Sequence, residues 1–439
     1  MKRDEQYSGG ENFDLQMVLL RGRRLRLHER VECFGDFLRG LQRRGELTTM
    51  REVVSAADRE VAVAEPGSGS PRKMLMFGSN NYLGLANHPY VVERVRRAVA
   101  RFGAGIGGPP LLNGFTTLHR ELEERLAALK GTEDAMIYSS GYGANVGLVT
   151  GLVNPDDFVL YDAYSHASFC DGLRMSGVEA HSFRHNDVDG LVRVLTRQAP
   201  GSSRDVFVGA EGVYSMDGDL APVDRLVDIC RACGAMLILD DAHGTGVMGP
   251  TGRGSAEHFG VEGKVDITMG TFSKVFAVTG GFVAAEKGIV EYLRYFARSY
   301  MFSASLPPAV IAAVLAGLDV MAREPDLRIR LHENVSYALE GLRSLGIEIS
   351  CESGIIPLRV PRGMNIRRAA RRFHELGIFV NPVEYPAVPL SQQRFRISMM
   401  ATHTREDIDR LIDAVRAVWA EENLQDEEVC VQVGVRDAI

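Results

Sequence analysis

No apolar run in this 439-residue chain reaches the roughly eighteen residues that a membrane-crossing helix needs, which argues against a membrane span. Cysteine is scarce. Six are scattered along the chain, too sparse for a disulfide scaffold and suited to reduced thiols in a cytoplasm. Positive charge is not in excess either: the formal net charge of −7 argues against non-specific nucleic-acid binding. The N-terminal stretch MKRDEQYSGGENFD lacks an apolar signal core, so no secretion is expected.

What remains is a chain of ordinary globular composition, 45% hydrophobic and 24% charged, long enough for two or three domains. Residues 1–75 read as an N-terminal helical arm and linker. The arm holds an arginine-rich amphipathic segment (Arg21 to Arg44) ahead of the flexible AEPGSGSPRK. Such a basic helix suits either its own protein's surface, an acidic carrier protein, or peripheral contact with a membrane. From residue 76 to 325, glycine-closed helices such as HPYVVERVRRAVARFG alternate with short apolar strands: DAMIYSS, DFVLYD, DVFVGAEG, AMLILDD, DITMG and GGFVAA. That alternation predicts a mostly parallel α/β sheet covered on both faces. Residues 326–439 read as a smaller α+β domain.

Two motifs mislead. GAGIGGPP (Gly103 to Pro110) fits the G-x-G-x-x-G of dinucleotide-binding turns, but a helix precedes it and prolines follow, the wrong context for that turn. Cys230 and Cys233 form a C-x-x-C in a helix predicted to end at Gly234, with both thiols on one face. No further ligands at zinc spacing are evident, so helix packing is the reading and no metal is expected.

Lys274, in MGTFSKVFAVTGG, follows the short strand VDITMG. A lysine there is ordinarily a solvated surface cation. Five other strand ends argue otherwise. Asp240 closes a buried strand in LILDDAHGTG, where a carboxylate needs a cationic partner, and His243 follows three residues on. In YSSGYGANVG, Gly141 and Tyr142 lie where a strand meets a helix, so their backbone N–H groups suit a phosphate. His166 sits on a turn in YSHASFCDG, and Ser215 follows a strand in EGVYSMDGD. Thr271 and Ser273 add hydroxyls beside Lys274. A lysine nucleophile, a buried aspartate, a histidine ring and a phosphate cradle together fit pyridoxal 5′-phosphate.

These motifs, with SNNYLGL, FSASLPP and RFRISMMATHT, resemble the α-oxoamine synthase family of fold-type I pyridoxal-phosphate enzymes over roughly residues 75 to 420. The resemblance implies a large domain built on a mostly parallel seven-stranded sheet. It implies Lys274 as the Schiff-base lysine, Asp240 as partner of the pyridine nitrogen, His243 on the ring hydroxyl and His166 stacked on the ring. Gly141, Tyr142, Thr271 and Ser273 would hold the phosphate, and Ser215 would line the cofactor. Ser303 would reach the phosphate of the other subunit in a homodimer, while Asn81 and Arg396 would hold the substrate carboxylate. The implied chemistry joins serine, alanine or glycine to an acyl-CoA or acyl-carrier-protein thioester with loss of carbon dioxide.

The nearest branch by motif is serine palmitoyltransferase-like. An 8-amino-7-oxononanoate synthase or a carrier-dependent synthase of secondary metabolism is the alternative, and an aminotransferase, lyase or non-catalytic subunit the different class. Glu384 and Tyr385 replace the arginine–proline pair of the bacterial palmitoyltransferase loop. His185 is expected as a loop contact and His119 as a helix-face packing residue. His403 is placed at the start of the last helix, capped by Thr404. Asp241 is expected to matter less than Asp240.

Overall fold

The computed structural model describes residues 22–65, 69–197 and 204–434, with side chains to residue 421 in the last helix. Arg21 and the N-terminal stretch read above lie outside the described residues. The basic segment forms the helix Leu27–Arg43, in which Leu41 is buried while Leu27 and Val31 stay exposed.

The region expected as arm and linker also holds two strands, β1 (Glu60–Val63) and β2 (Arg72–Met76), paired antiparallel. The end of the linker motif, Arg72 and Lys73, is therefore strand. Alternating apolar residues explain this, because Val61, Val63, Met74 and Met76 are buried together against Met400.

Between residues 134 and 285 run seven strands: β3 (Asp134–Tyr138), β4 (Phe158–Asp162), β5 (Glu179–Phe183), β6 (Val206–Glu211), β7 (Met236–Asp240), β8 (Ile267–Thr271) and β9 (Gly281–Ala285). They form one sheet in the order β3-β9-β8-β7-β6-β4-β5, parallel except for β9, which runs antiparallel to β3 and β8. Six of these strands match the apolar runs in the sequence. The seventh, β5, is an edge strand with mostly half-buried or exposed side chains, so it carries no apolar run.

Strand β7 shows why the sheet is covered twice. Leu237 and Leu239 pack with the helix Val223–Cys233 on one face. Ile238 turns to the other, where it joins Leu148 and Val149 of the helix Gly141–Leu152. Each such buried aliphatic side chain contributes roughly 1.5–3 kcal/mol.

The C-terminal part contains β10 (Ile355–Arg359), β11 (Ile378–Phe379), β12 (Asn381–Val383) and β13 (Arg394–Ser398). β10, β13 and β12 make an antiparallel sheet flanked by the helices Asp326–Ser344 and Arg405–Gly434. β11 pairs parallel with β2, knitting the N-terminal strands to this part of the chain. The C-x-x-C thiols do not share a face: Cys230 is buried and Cys233 exposed. The buried stripe is Val223, Leu226, Val227 and Cys230, and Cys233, the last helical residue, falls off its edge.

Candidate active site

Parallel strands end on one side of a sheet, and in such folds ligands bind beyond their carboxyl ends. Here five chain segments turn over that edge and enclose a cavity of about 290 Å³. Its lining includes Gly141, His166, Asp240, His243, Thr271 and Lys274. Tyr142, Ser215 and Ser273 line it as well.

The helix Gly141–Leu152 begins at the cavity, capped by Ser140, whose hydroxyl accepts from the Gly143 N–H at 2.9 Å. The N–H groups of Gly141 and Tyr142 fall in the first turn, where no intrahelical acceptor exists. Glycine is required at 141 because a Cβ there would lie 2.7 Å from Thr271 Oγ1. Thr271 Oγ1 in turn sits 2.9 Å from Ser273 Oγ and donates to the Gly280 carbonyl at 2.8 Å. Helix N-terminus and hydroxyl pair form an anion cradle. The Tyr142 ring lies outside it, largely exposed, with its hydroxyl bonded to Asp171.

Lys274 stands in the loop between β8 and β9, closed by Phe272 N–H to Gly280 O at 2.9 Å and Ala277 N–H to Lys274 O at 2.9 Å. Ala277 adopts φ 52°, a left-handed conformation unusual for a side chain with a Cβ. Among the described residues Lys274 makes no salt bridge. Burial, then the Arg396 charge, lowers its ammonium to about 8, against the pull of Asp240 and Glu211. Its amine therefore sheds its proton at a lower pH than a solvated lysine does.

Asp240 is 8% exposed, and burial pushes its carboxyl upward. It accepts from Asn145 Nδ2 at 2.8 Å and from the Ala242 N–H at 3.1 Å. Beside it in the β6–β7 register lies Glu211, also buried, with Oε1 unpaired. Burial and then the Asp240 charge push the Glu211 carboxyl well above its ordinary value. The next residue, Asp241, serves the frame. Its Oδ2 pairs with Lys130 Nζ at 2.7 Å and its Oδ1 accepts from Ser255 Oγ at 2.6 Å, all buried.

His243 is buried, and its Nδ1 lies 2.8 Å from the hydroxyl of Tyr82. Burial and the Lys274 and Arg396 charges hold it well below the usual histidine range, so it is neutral. His166 caps the helix Ala167–Ser176, with Nδ1 2.7 Å from Ser168 Oγ.

Arg396, on β13, is 7% exposed. It donates from Nε to the Ser215 carbonyl at 2.7 Å and from Nη2 to Asn80 Oδ1 at 2.8 Å. The asparagine beside it is thus Asn80, not Asn81. Asn81 turns away, its Oδ1 accepting the Ala86 N–H at 3.1 Å to close the turn after SNNY. Ser303 lines a separate small cavity with His119, Tyr138 and Ser299 and is not among the residues lining the Lys274 cavity. Sequence reasoning passed over Asn80, Tyr82, Asn145, Ser168 and Glu211. Asn80, Tyr82, Asn145 and Ser168 stand inside the quoted motifs SNNYLGL, SSGYGAN and SHASFCDG, and Glu211 opens EGVYSMDGD.

The other expected contacts resolve variously. His119 is buried as the third residue of its helix and caps it with Thr116. His403 is buried, accepting from the Met400 N–H at 3.1 Å, and Thr404 Oγ1 accepts from the Asp407 N–H at 3.2 Å. His185 is more than a loop contact. It bridges Asp162 Oδ1 at 3.0 Å and Asp219 Oδ2 at 2.8 Å, stacked on Tyr164.

A helix N-terminus with two hydroxyls beside it, a lysine of lowered pKa and a buried carboxylate form a donor set that fits pyridoxal 5′-phosphate. The unpaired oxygens of Glu211 and Asn145 add to that fit. The family model of aminotransferase class I and II matches residues 72–415. An 8-amino-7-oxononanoate synthase of Geotalea daltonii is 40% identical, over 88% of this chain and 98% of its own length. A serine palmitoyltransferase of Sphingobacterium spiritivorum is 37% identical, over 91% and 98%. Among solved structures, serine palmitoyltransferase from S. paucimobilis with bound PLP and myriocin superposes with a TM-score of 0.84 at 31% identity, covering 91% of this chain and all of that one. The chain belongs to the aminotransferase class I and II family and, within it, to the α-oxoamine synthases, pyridoxal-phosphate-dependent acyltransferases.

Proposed function

We propose that the protein joins serine to a long-chain acyl thioester, on the serine palmitoyltransferase-like branch, as a cytoplasmic homodimer. A carbon–carbon bond forms at the amino acid's α-carbon, the thioester C–S bond breaks, and the carboxylate leaves as carbon dioxide. The products are an α-amino ketone and a free thiol. The observation that carries the reading is geometric: Lys274, Asp240, His243 and His166 line one cavity beside the start of the helix Gly141–Leu152, in a fold that superposes on a serine palmitoyltransferase with a TM-score of 0.84.

When bound, pyridoxal 5′-phosphate supplies an aldehyde for the lysine and a ring that draws electrons from the substrate's α-carbon. In this reading the Gly141 and Tyr142 N–H groups, with Thr271 and Ser273, bind its phosphate. Ser303 joins them from the other subunit. Asp240 would hold the ring nitrogen protonated, and a cation there would offset the cost of the buried carboxylate. His243, His166 and Ser215, which line the same cavity, would hold the ring, with His243 donating to its hydroxyl oxygen and His166 stacking on it. Arg396 and Asn80 orient the substrate carboxylate, a role a planar guanidinium suits. The Lys274 amine, as free base, takes the α-proton.

A second reading rests on the 40%-identical oxononanoate synthase: alanine as amino acid and a shorter acyl donor. Purified enzyme incubated with serine, alanine or glycine and a set of CoA and carrier-bound thioesters, with products read by mass spectrometry, decides between them. Serine with a long-chain donor gives the decarboxylated amino ketone on the first reading, and alanine is preferred on the second. Keto acid without a new carbon–carbon bond overturns both.

A further inference from the structure

Tyr82 is fixed before its hydroxyl does anything. Its N–H donates to the Asn80 carbonyl at 2.8 Å, its own carbonyl accepts from the Ala401 N–H at 2.7 Å, and the residue is 1% exposed. Gly354 lies so close that a Cβ there would meet the Tyr82 ring at 2.9 Å. A ring this confined presents its hydroxyl in one place.

That hydroxyl has three polar neighbours: His243 Nδ1 at 2.8 Å, Asn80 Oδ1 at 3.4 Å and Arg396 Nη2 at 3.5 Å. A guanidinium only donates, so Arg396 takes a lone pair of the phenol oxygen. The single phenolic proton then goes to one of two acceptors. Asn80 Oδ1 already receives Arg396 at 2.8 Å, and His243 Nδ1 is 0.6 Å nearer, so the proton points at Nδ1. A neutral imidazole that accepts at Nδ1 carries its hydrogen on Nε2. That nitrogen has no protein partner among the described residues, and His243 borders the cavity.

We infer that Tyr82 is a positioning residue that locks His243 as the Nε2–H tautomer and couples it, through one shared hydroxyl, to the arginine that receives the substrate carboxylate. The inference rests on the roles given above to His243 and Arg396. A carboxylate drawn to Arg396 competes for the guanidinium and alters its hold on the phenol. The bond from Tyr82 to His243 carries that change to the ring oxygen.

The test uses holoenzyme labelled with ¹⁵N-histidine, with His243 assigned by its absence in H243Q. In the wild type, Nδ1 should resonate as a bare acceptor and Nε2 as an N–H. Tyr82→Phe keeps the ring and removes the proton. It should retain the wild-type melting temperature within a few degrees, yet show His243 as a mixture of tautomers or as Nδ1–H. The pH titration of the bound cofactor's visible band should shift by about half a unit or more. The change in that band on adding amino acid should shrink several-fold.

An unchanged His243 tautomer in Y82F overturns the proposal, as does a band that titrates and responds as in wild type. Arg396→Ala separates the two levels. If it leaves amino-acid affinity unaltered, the reading of Arg396 fails. If it weakens affinity while Y82F changes no spectrum, the coupling alone fails.

Discussion

Asn145 donates both hydrogens of its carboxamide nitrogen, one to Asp240 Oδ2 at 2.8 Å and one to Ser168 Oγ at 2.9 Å. Ser168 in turn meets His166 Nδ1 at 2.7 Å. One hydrogen-bonded chain therefore links two groups that line the cavity, the Asp240 carboxylate and the His166 imidazole, through the helix Gly141–Leu152. Asn145→Ala leaves Asp240 without its side-chain donor. A hydrogen bond to a charged group contributes roughly 1.5–3 kcal/mol, so pyridoxal-phosphate affinity should fall about tenfold or more. Equilibrium dialysis measures it, and affinity within twofold of wild type would mean that Asn145 supports nothing at the site.

Asp240 and Asp241 should fail differently. Removing one partner of a buried ion pair costs roughly 3–5 kcal/mol. Asp241→Asn breaks the pair with Lys130, so it should lower the unfolding free energy of apoprotein and holoprotein alike. Asp240→Asn should leave apoprotein stability near wild type and cut cofactor retention and turnover. Denaturant melts beside cofactor titrations separate them, and the adjacent aspartate becomes the more damaging change for folding.

Lys274→Ala should abolish turnover and the visible band of the bound cofactor. In the wild type, the rate of cofactor capture by apoenzyme should rise with pH and level off above about 8, because the ammonium is lowered to that value. A surface lysine would keep accelerating toward its ordinary range near 10.4. Stopped-flow absorbance across pH 6–10 reads the midpoint.

His185 should give a pH-dependent stability term. Burial alone would lower its pKa, but Asp162 and Asp219 outweigh that and raise it to about 9. Its folded value lies above the unfolded value near 6.5, so the stabilisation is fully present below that pH. It is lost as pH rises through 9. His185→Gln should therefore cost roughly 1–3 kcal/mol at pH 6, with the gap from wild type closing by pH 10. A gap constant with pH would show that the imidazolium is not what stabilises this corner.

Deleting residues 1–45 tests the arm. Arg367 lies 5.0 Å over the Phe37 ring, Arg371 donates to the Arg44 carbonyl at 2.9 Å, and Leu41 is buried. The arm is thus docked on its own protein, and truncation should lower kcat/KM similarly for CoA and carrier-bound thioesters. A loss confined to the carrier-bound donor, abolished by salt, would make the arm a docking element instead.

The sequence by itself determined the alternating core of the fold and which reactive side chains meet in its cavity. Apolar runs of strand length separated by glycine-closed helices admit little but a doubly covered sheet. Asp240, His243, Thr271 and Lys274 follow those runs directly, so the sheet's own direction carries them to one edge. Tertiary structure decided what neighbouring letters cannot. Asn80 and Asn81 are identical in type, and only the turn that spends Asn81 on the Ala86 N–H leaves Asn80 facing Arg396 from β13, more than three hundred residues away. The burial of Asp241, the doubly paired His185 and the edge strand β5 likewise depend on partners distant in sequence. Periodicity reports which side of an element is apolar, whereas the partner of a polar group is set by where the chain returns.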